Sequence, residues 1–172
     1  MIMRQGQQLL LPANPLFIWG SLLAALLINM LPLGRVVWRP DLLMLLLVFW
    51  SVHQPQRVGM GAAFVFGVIM DVQQAALLGQ HALAYTALSF FAITIHRRLL
   101  WFSVPSQALQ VLPIFVAAHA IELGIRVLGG GMFPGWQILL APLIEAVLWP
   151  VVSIMLLAPQ RRAPDPDKNR PL

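Results

Sequence analysis

Apolar residues fill six blocks along this chain, and short polar or glycine- and proline-rich segments separate them. The blocks cover residues 16–33, 42–52, 58–70, 77–95, 107–128 and 136–157. A membrane-spanning helix needs about 20 mostly apolar residues, a length that the first, fourth, fifth and sixth blocks approach or exceed. The pattern therefore predicts an all-α, polytopic membrane bundle of about six transmembrane helices, with 1–158 as a single transmembrane domain.

The second and third blocks are short, with 11 and 13 residues. They are interpreted either as two short or tilted crossings or as a re-entrant pair that enters the membrane and returns. Asp41, Arg57 and Asp71 flank the two blocks, which favours two crossings. Asp41 follows Pro40 directly, and its side chain is suited to cap the helix that comes next.

Composition agrees with burial in a bilayer. Hydrophobic residues make up 59% of the 172 residues and charged residues 10%, whereas soluble domains have about 45–50% and about 25%. The chain has no cysteine, which excludes disulfides and sulfur-ligated metals. Most cations in the net charge of +5 stand at the ends of apolar blocks. They therefore indicate membrane orientation and contact with lipid headgroups, and no nucleic-acid partner is expected.

Motifs for phosphate loops, zinc hydrolases and nucleophile elbows do not occur in the sequence. No part of the chain outside the apolar blocks is long enough for a soluble catalytic domain. We therefore expect a protein that is not an enzyme, with no catalytic residue, cofactor or metal.

Arginine and lysine are distributed unevenly between the two sides of a six-helix bundle. With six crossings, one side carries eight cations and the other carries three, so both termini are predicted to be cytoplasmic. The eight cations on the cytoplasmic side are Arg4, Arg57, Arg97, Arg98, Arg161, Arg162, Lys168 and Arg170, and the three on the outer side are Arg35, Arg39 and Arg126. The proline-rich segment 159–172 is predicted to be a disordered cytoplasmic tail.

Ionisable residues inside the last two blocks cost at least about 2.5–3.5 kcal/mol each at a helix centre, so they need partners. Glu145 lies near the middle of the sixth block, at a depth similar to that of His119 in the fifth. Glu122 and Arg126 share a helix face with His119 and have the spacing of an acid–base pair. Internal pairing, a partner-binding patch and a proton or substrate pathway all stay open.

Small residues recur every fourth position in the third block, at Gly59, Ala63 and Gly67, and the series ends at Asp71. Such a stripe lets two helix backbones approach closely. The second helix belongs either to the same chain or to a partner.

Several charged residues map to the outer surface in the predicted topology, either as ordinary interface residues or as a docking rim for a partner. This set is Arg35, Arg39, Asp41, Asp71 and Arg126. Trp136 and Trp149, near the two ends of the sixth block, are suited to the membrane interface.

An ordered series of short motifs resembles the rod shape-determining protein MreD family. The motifs are R-P-D-L at 39–42, F-W at 49–50, G-x-x-x-A-F-x-x-G-x-x-x-D at 59–71 and L-G-Q-H-A-L at 78–83. The family's acidic positions then fall on Asp41 and Asp71, and its glycines on Gly59, Gly67 and Gly79.

The resemblance implies a non-catalytic inner-membrane scaffold of the cell-elongation (peptidoglycan-synthesis) machinery. Such a scaffold maintains rod shape by binding the bitopic protein MreC, and through it MreB, RodA and its transpeptidase. The small-residue stripe and the charged rim are the surfaces that we predict to bind the partner. The family also resembles the S components of energy-coupling-factor transporters in fold. The alternative is therefore the substrate-binding subunit of a vitamin-type transporter, with a closed polar cavity lined by His119, Glu122 and Glu145.

Overall fold

Six α-helices make up most of the computed structural model, which describes residues 13–31 and 39–160; no strand occurs in those two ranges. The predicted all-α membrane bundle is confirmed, and the helical stretches Val104–Leu128 and Trp136–Gln160 are long and apolar enough to span a membrane. The helices are α1 Pro15–Met30, α2 Leu42–His53, α3 Met60–Gln73, α4 Gln80–Leu99, α5 Val104–Leu128 and α6 Leu140–Leu157, with short 3-10 turns at Trp136–Leu139 and Ala158–Gln160. Most of the predicted tail, 161–172, lies outside the described residues.

Capping residues determine where the helices begin. The Asp41 side chain accepts a hydrogen bond from the backbone N–H of Met44 at 2.9 Å, which confirms its predicted role at the start of α2. α4 begins three residues later than the apolar block, at Gln80, because Gly79 has a φ of +102°. That left-handed conformation is readily adopted by glycine and ends the preceding turn.

Helix α2 occupies the centre of the bundle. Nine of its 12 residues are buried, and it packs against α1, α4 and α6. A helix of this length rises only about 18 Å, less than the roughly 30 Å of a bilayer core. Because protein rather than lipid surrounds α2, neighbouring helices can satisfy the polar groups at its ends. Its short length therefore fits both the crossing and the re-entrant interpretation.

Aromatic rings fill the middle of the bundle around α2. The ring of Phe49 lies 5.0 Å from that of Trp50 and 6.1 Å from that of Trp149, measured between centroids. Trp149 is fully buried, and its indole N–H donates to Gln107 at 3.2 Å. The interface position predicted for Trp149 is therefore wrong, because this ring fills the space between α6 and α2. Trp136 is 79% exposed.

Consecutive helices run in opposite directions, so odd-numbered helices end where even-numbered helices begin. Asn29 at the end of α1 donates to Asp41 at the start of α2 at 2.6 Å. At the other end of the bundle, Arg57 donates to the Ala13 carbonyl at 2.8 Å. We call the first the acidic end, because it holds all four acids of the described residues, and the second the basic end. The acids are Asp41, Asp71, Glu122 and Glu145, and the arginines of the basic end are Arg57, Arg97 and Arg98.

Candidate functional site

A polar network at the acidic end begins at the carboxylate of Asp41. One of its oxygens accepts hydrogen bonds from the Asn29 amide at 2.6 Å and from the Met44 backbone N–H. The other accepts a hydrogen bond from the Tyr85 hydroxyl. One side chain at the start of α2 therefore joins α1, α2 and α4.

The network continues through Glu145, which is fully buried in α6. Its Oε1 accepts the backbone N–H of Asp41 at 2.8 Å and lies 3.0 Å from Nε2 of His119. On the other side of the imidazole, Nδ1 of His119 lies 3.4 Å from Oε2 of Glu122. The prediction that His119 and Glu145 lie at similar depth is confirmed, and the pair joins α5 to α6.

The predicted acid–base pair between Glu122 and Arg126 is wrong. Glu122 is directed at His119, and no ion pair with Arg126 forms among the described residues. Arg126 stands one turn closer to the end of α5, where its side chain is exposed and packs beside Gly131. Oε1 of Glu122 is buried and has no hydrogen-bond partner within 13–31 and 39–160.

The small-residue stripe of α3 faces α4 of the same chain. A Cβ atom on Gly67 would lie 2.4 Å from the Cα of Ala82, closer than atoms can approach. Ala63 is fully buried, and Gly59 is the half-buried residue before the first turn of α3. The structure thus supports the internal interpretation of the stripe, because a partner could reach Ala63 or Gly67 only if α3 left α4.

Asp71 lies inside the protein rather than on its outer surface, where the charged rim was predicted, and it is 1% exposed. Its carboxylate accepts the backbone N–H groups of Gly79 at 2.8 Å, His81 at 2.7 Å and Ala82 at 3.3 Å. Nδ1 of His81 lies 2.8 Å from the same carboxylate. Asp71 therefore satisfies free donors at the start of α4, which explains why a carboxylate closes the stripe.

Arg39 stabilises the end of α1. Its guanidinium donates to the carbonyls of Ile28 at 2.8 Å, Leu31 at 3.2 Å and Asn29 at 3.3 Å. The Ile28 carbonyl also accepts the backbone N–H of Leu31 at 3.2 Å, and a cation beside the last carbonyls of a helix complements the helix dipole. Arg35, the other arginine of this predicted rim segment, lies outside the described residues.

A cavity of about 1040 Å³ opens at the acidic end, and all six helices or their adjoining turns contribute to its wall. Small-molecule sites commonly measure about 300–1,000 Å³. The transport alternative predicted a closed cavity lined by His119, Glu122 and Glu145. The observed cavity is open, and its wall includes His119 and Glu122 but not Glu145, which lies behind His119. Its charged and titratable lining residues are Arg39, Asp41, His81, His119, Glu122 and Arg126.

Two polar residues of this region, Asn29 and Tyr85, have no role in the sequence-based prediction. A third, His81, enters it only as part of the L-G-Q-H-A-L motif. Tyr85 is the only tyrosine of the chain, and His81 lies two residues after Gly79 at a helix start, but neither signal identifies a partner. Within the part of the chain that the structure describes, no three acidic or histidine side chains are arranged to hold a metal ion.

Comparison with known proteins identifies relatives of this chain. The model of the rod shape-determining protein MreD family matches residues 12–158. The Rod shape-determining protein MreD of Haemophilus influenzae is 25% identical over 135 residues, which cover 76% of this chain and 81% of the relative. No solved structure matches the chain. The fold likeness to transporter S components therefore stays a prediction.

Proposed function

Because the chain belongs to the rod shape-determining protein MreD family, we propose that it is a non-catalytic inner-membrane scaffold of the cell-elongation machinery. In this role it binds MreC, and through MreC it associates with MreB, RodA and its transpeptidase. The observation that carries the proposal is the family match across 12–158, which covers nearly all of the helical bundle.

The use of the interior polar groups supports a structural rather than a catalytic role. Asp41 and Glu145 accept hydrogen bonds from groups on other helices, and Asp71 accepts four from the start of α4. Hydrogen bonds between transmembrane helices contribute to helix association in a bilayer, because no hydrophobic driving force acts between helices that lipid surrounds. These carboxylates therefore hold helices together.

Charge distribution supports an orientation for the proposed scaffold. Within the described ranges, the basic end has three arginines and no acid, whereas the acidic end has four acids and two arginines. Cytoplasmic loops carry an excess of lysine and arginine. We assign the basic end to the cytoplasm, so that six crossings bring both termini there.

The outer face of α3 is the surface that we assign to MreC. α3 packs mainly on α4, and it meets α1 through the stacked rings of Trp19 and Phe66, 6.4 Å apart. On its free side, Phe64 and Val65 are each more than half exposed. A bitopic partner presents one transmembrane helix, and such a helix can pack along this free side. The stripe then acts indirectly, by holding α3 in position.

Site-specific photocross-linking in cells tests this assignment. A photoreactive amino acid at Phe64 or Val65 is expected to cross-link to MreC, whereas the same group at Val147 on α6, which is 74% exposed, is expected not to. Equal cross-linking from α3 and α6 would contradict the assigned surface. Normal rod shape after loss of the gene, together with no co-purification of MreC, would contradict the scaffold itself.

A transport role is a second candidate, favoured by the cavity at the acidic end. It requires a substrate and a coupling partner. A thermal-shift screen of the purified protein across vitamins, followed by uptake measurements, tests it. Absence of any stabilising vitamin would exclude the vitamin-type transporter while leaving the scaffold proposal intact.

A further inference from the structure

The cavity at the acidic end presents opposite charges one helical turn apart on α5. Glu122 and Arg126 both belong to its wall, separated by about 6 Å along the helix axis. They do not pair with each other, and Arg126 makes no hydrogen bond or ion pair with the described residues. A cavity with two separated, opposite charges is suited to a ligand that carries both signs.

The deeper part of the cavity has an excess of acidic groups. The carboxylates of Glu122 and Glu145 both contact His119, which is one imidazole between two acids. Asp41, next to Glu145, adds a third carboxylate. Arg39 is nearby, but its guanidinium donates to the carbonyls of α1. A positively charged group brought into this region would therefore be favoured.

Glu122 is the acid best placed to receive such a group. Asp41 and Glu145 already accept two or more hydrogen bonds from neighbouring helices, whereas Oε1 of Glu122 accepts none within 13–31 and 39–160. A buried acceptor without a donor is costly. A ligand N–H group can supply the donor once the side chain turns towards the cavity.

We propose that this cavity binds a small zwitterion, with a primary amine at Glu122 and a carboxylate or phosphate at Arg126. The wall also contains apolar residues, so the ligand can also carry an aliphatic part. Two sources share this chemistry, a soluble amino acid and the phosphoethanolamine headgroup of a lipid. The apolar part of the wall includes Met70, Leu77, Leu123 and Ile138.

A single cysteine in the cavity wall can report occupancy, because the chain has no cysteine of its own. Gln74 is exposed and lines the cavity, so we choose Gln74→Cys, with Ser103→Cys at the basic end as the control. Phosphoethanolamine or glycine is expected to slow maleimide labelling of the first variant and not of the second. Ethanolamine, which lacks the anion, and phosphocholine, which lacks the N–H donors, are expected to protect much less.

Lipid nanodiscs separate the two sources. Slower labelling of Gln74→Cys in phosphatidylethanolamine than in phosphatidylcholine assigns the site to the lipid headgroup. Protection by glycine alone, with no dependence on lipid, assigns it to a soluble amino acid. Labelling that no amine-containing probe or lipid changes would overturn the proposal.

Charge variants test which residues hold the ligand. In the Gln74→Cys background, Glu122→Gln and Arg126→Gln are each expected to weaken protection about tenfold or more, since each removes a charged hydrogen-bond partner. Arg97→Gln, which removes an exposed arginine at the basic end, is the matched control and is expected to leave protection unchanged. Equal protection in all three variants, or equal loss in all three, would overturn the assignment.

Discussion

Nε2 of His119 lies 3.0 Å from Oε1 of Glu145, the same oxygen that accepts the backbone N–H of Asp41. Three helices, α5, α6 and α2, therefore meet at one buried atom. Hydrogen bonds to charged acceptors are stronger than neutral ones, and removing such an acceptor leaves its donors unsatisfied. A single change at Glu145 would consequently loosen contacts among three helices.

The first prediction concerns the coupling between these two side chains. Glu145→Leu is expected to lower the free energy of unfolding in detergent by about 1–3 kcal/mol, because donors on α2 and α5 lose their acceptor. In a double-mutant cycle with His119→Phe, the two changes are expected to couple by about 0.5–3 kcal/mol. Strictly additive effects would show that the contact does not stabilise the bundle.

The second prediction concerns the α3–α4 contact. Gly67→Ala places a methyl group 2.4 Å from the Cα of Ala82, so the helices must separate, at a cost of about 1–3 kcal/mol. Gly124→Ala is the matched control, because nothing lies within 4 Å of a Cβ there. That control is expected to stabilise α5 slightly, since alanine is the better helix former.

Apparent melting temperatures of the two variants in the same detergent measure this difference. A decrease for Gly67→Ala with no decrease for Gly124→Ala is the expected pattern. An unchanged melting temperature for Gly67→Ala would mean that α3 and α4 are not in close contact in the membrane protein. Rod shape in cells that express each variant provides the second readout.

The bundle itself was predictable because several apolar blocks of about 20 residues are typical of membrane-spanning helices. The ends of the helices were less predictable, since local chemistry decides them. α4 starts at Gln80 because Gly79 breaks the preceding turn, and it continues to Leu99 through His96 and the two arginines that follow. Hydropathy places those basic residues outside the block, although their backbones continue the helix.

The candidate site was predictable only in part. The match in depth between His119 and Glu145 follows from alternating helix directions and the cost of buried charge. The helix that packs against the small-residue stripe could not be predicted from the sequence, because spacing identifies a face of α3 but not the helix that covers it. Asp71 illustrates this limit, since its four donors come from 79–82, a segment that spacing alone does not bring back to it.

The third prediction separates folding from partner binding at Asp71. Asp71→Ala is expected to destabilise the bundle by more than the about 1 kcal/mol of an ordinary helix cap, because donors from Gly79, His81 and Ala82 lose their acceptor. Asn14→Ala is the control, since the Asn14 side chain accepts one hydrogen bond, from the backbone N–H of Leu16, at an exposed position.

Co-purification of MreC with each variant then distinguishes two causes. If Asp71 acts through the fold, MreC is lost in proportion to the amount of folded protein. A variant of Asp71 that keeps wild-type stability and amount but no longer retains MreC would instead show direct contact with the partner. That result would contradict the internal role that the hydrogen bonds assign to this carboxylate.

The fourth prediction concerns orientation and the path of α2 and α3. We expect Gln137→Cys, at the acidic end, to react with a membrane-impermeant maleimide in intact spheroplasts, and Ser103→Cys to react only after permeabilisation. Both positions are exposed, and the chain has no other cysteine. The reverse pattern would contradict the assignment of the basic end to the cytoplasm. Gln56→Cys, in the turn between α2 and α3, then tests whether these short helices cross the membrane or form a re-entrant pair. Full crossing predicts that it reacts as Ser103→Cys does, whereas a re-entrant pair would keep it within the bilayer and slow its labelling from both sides.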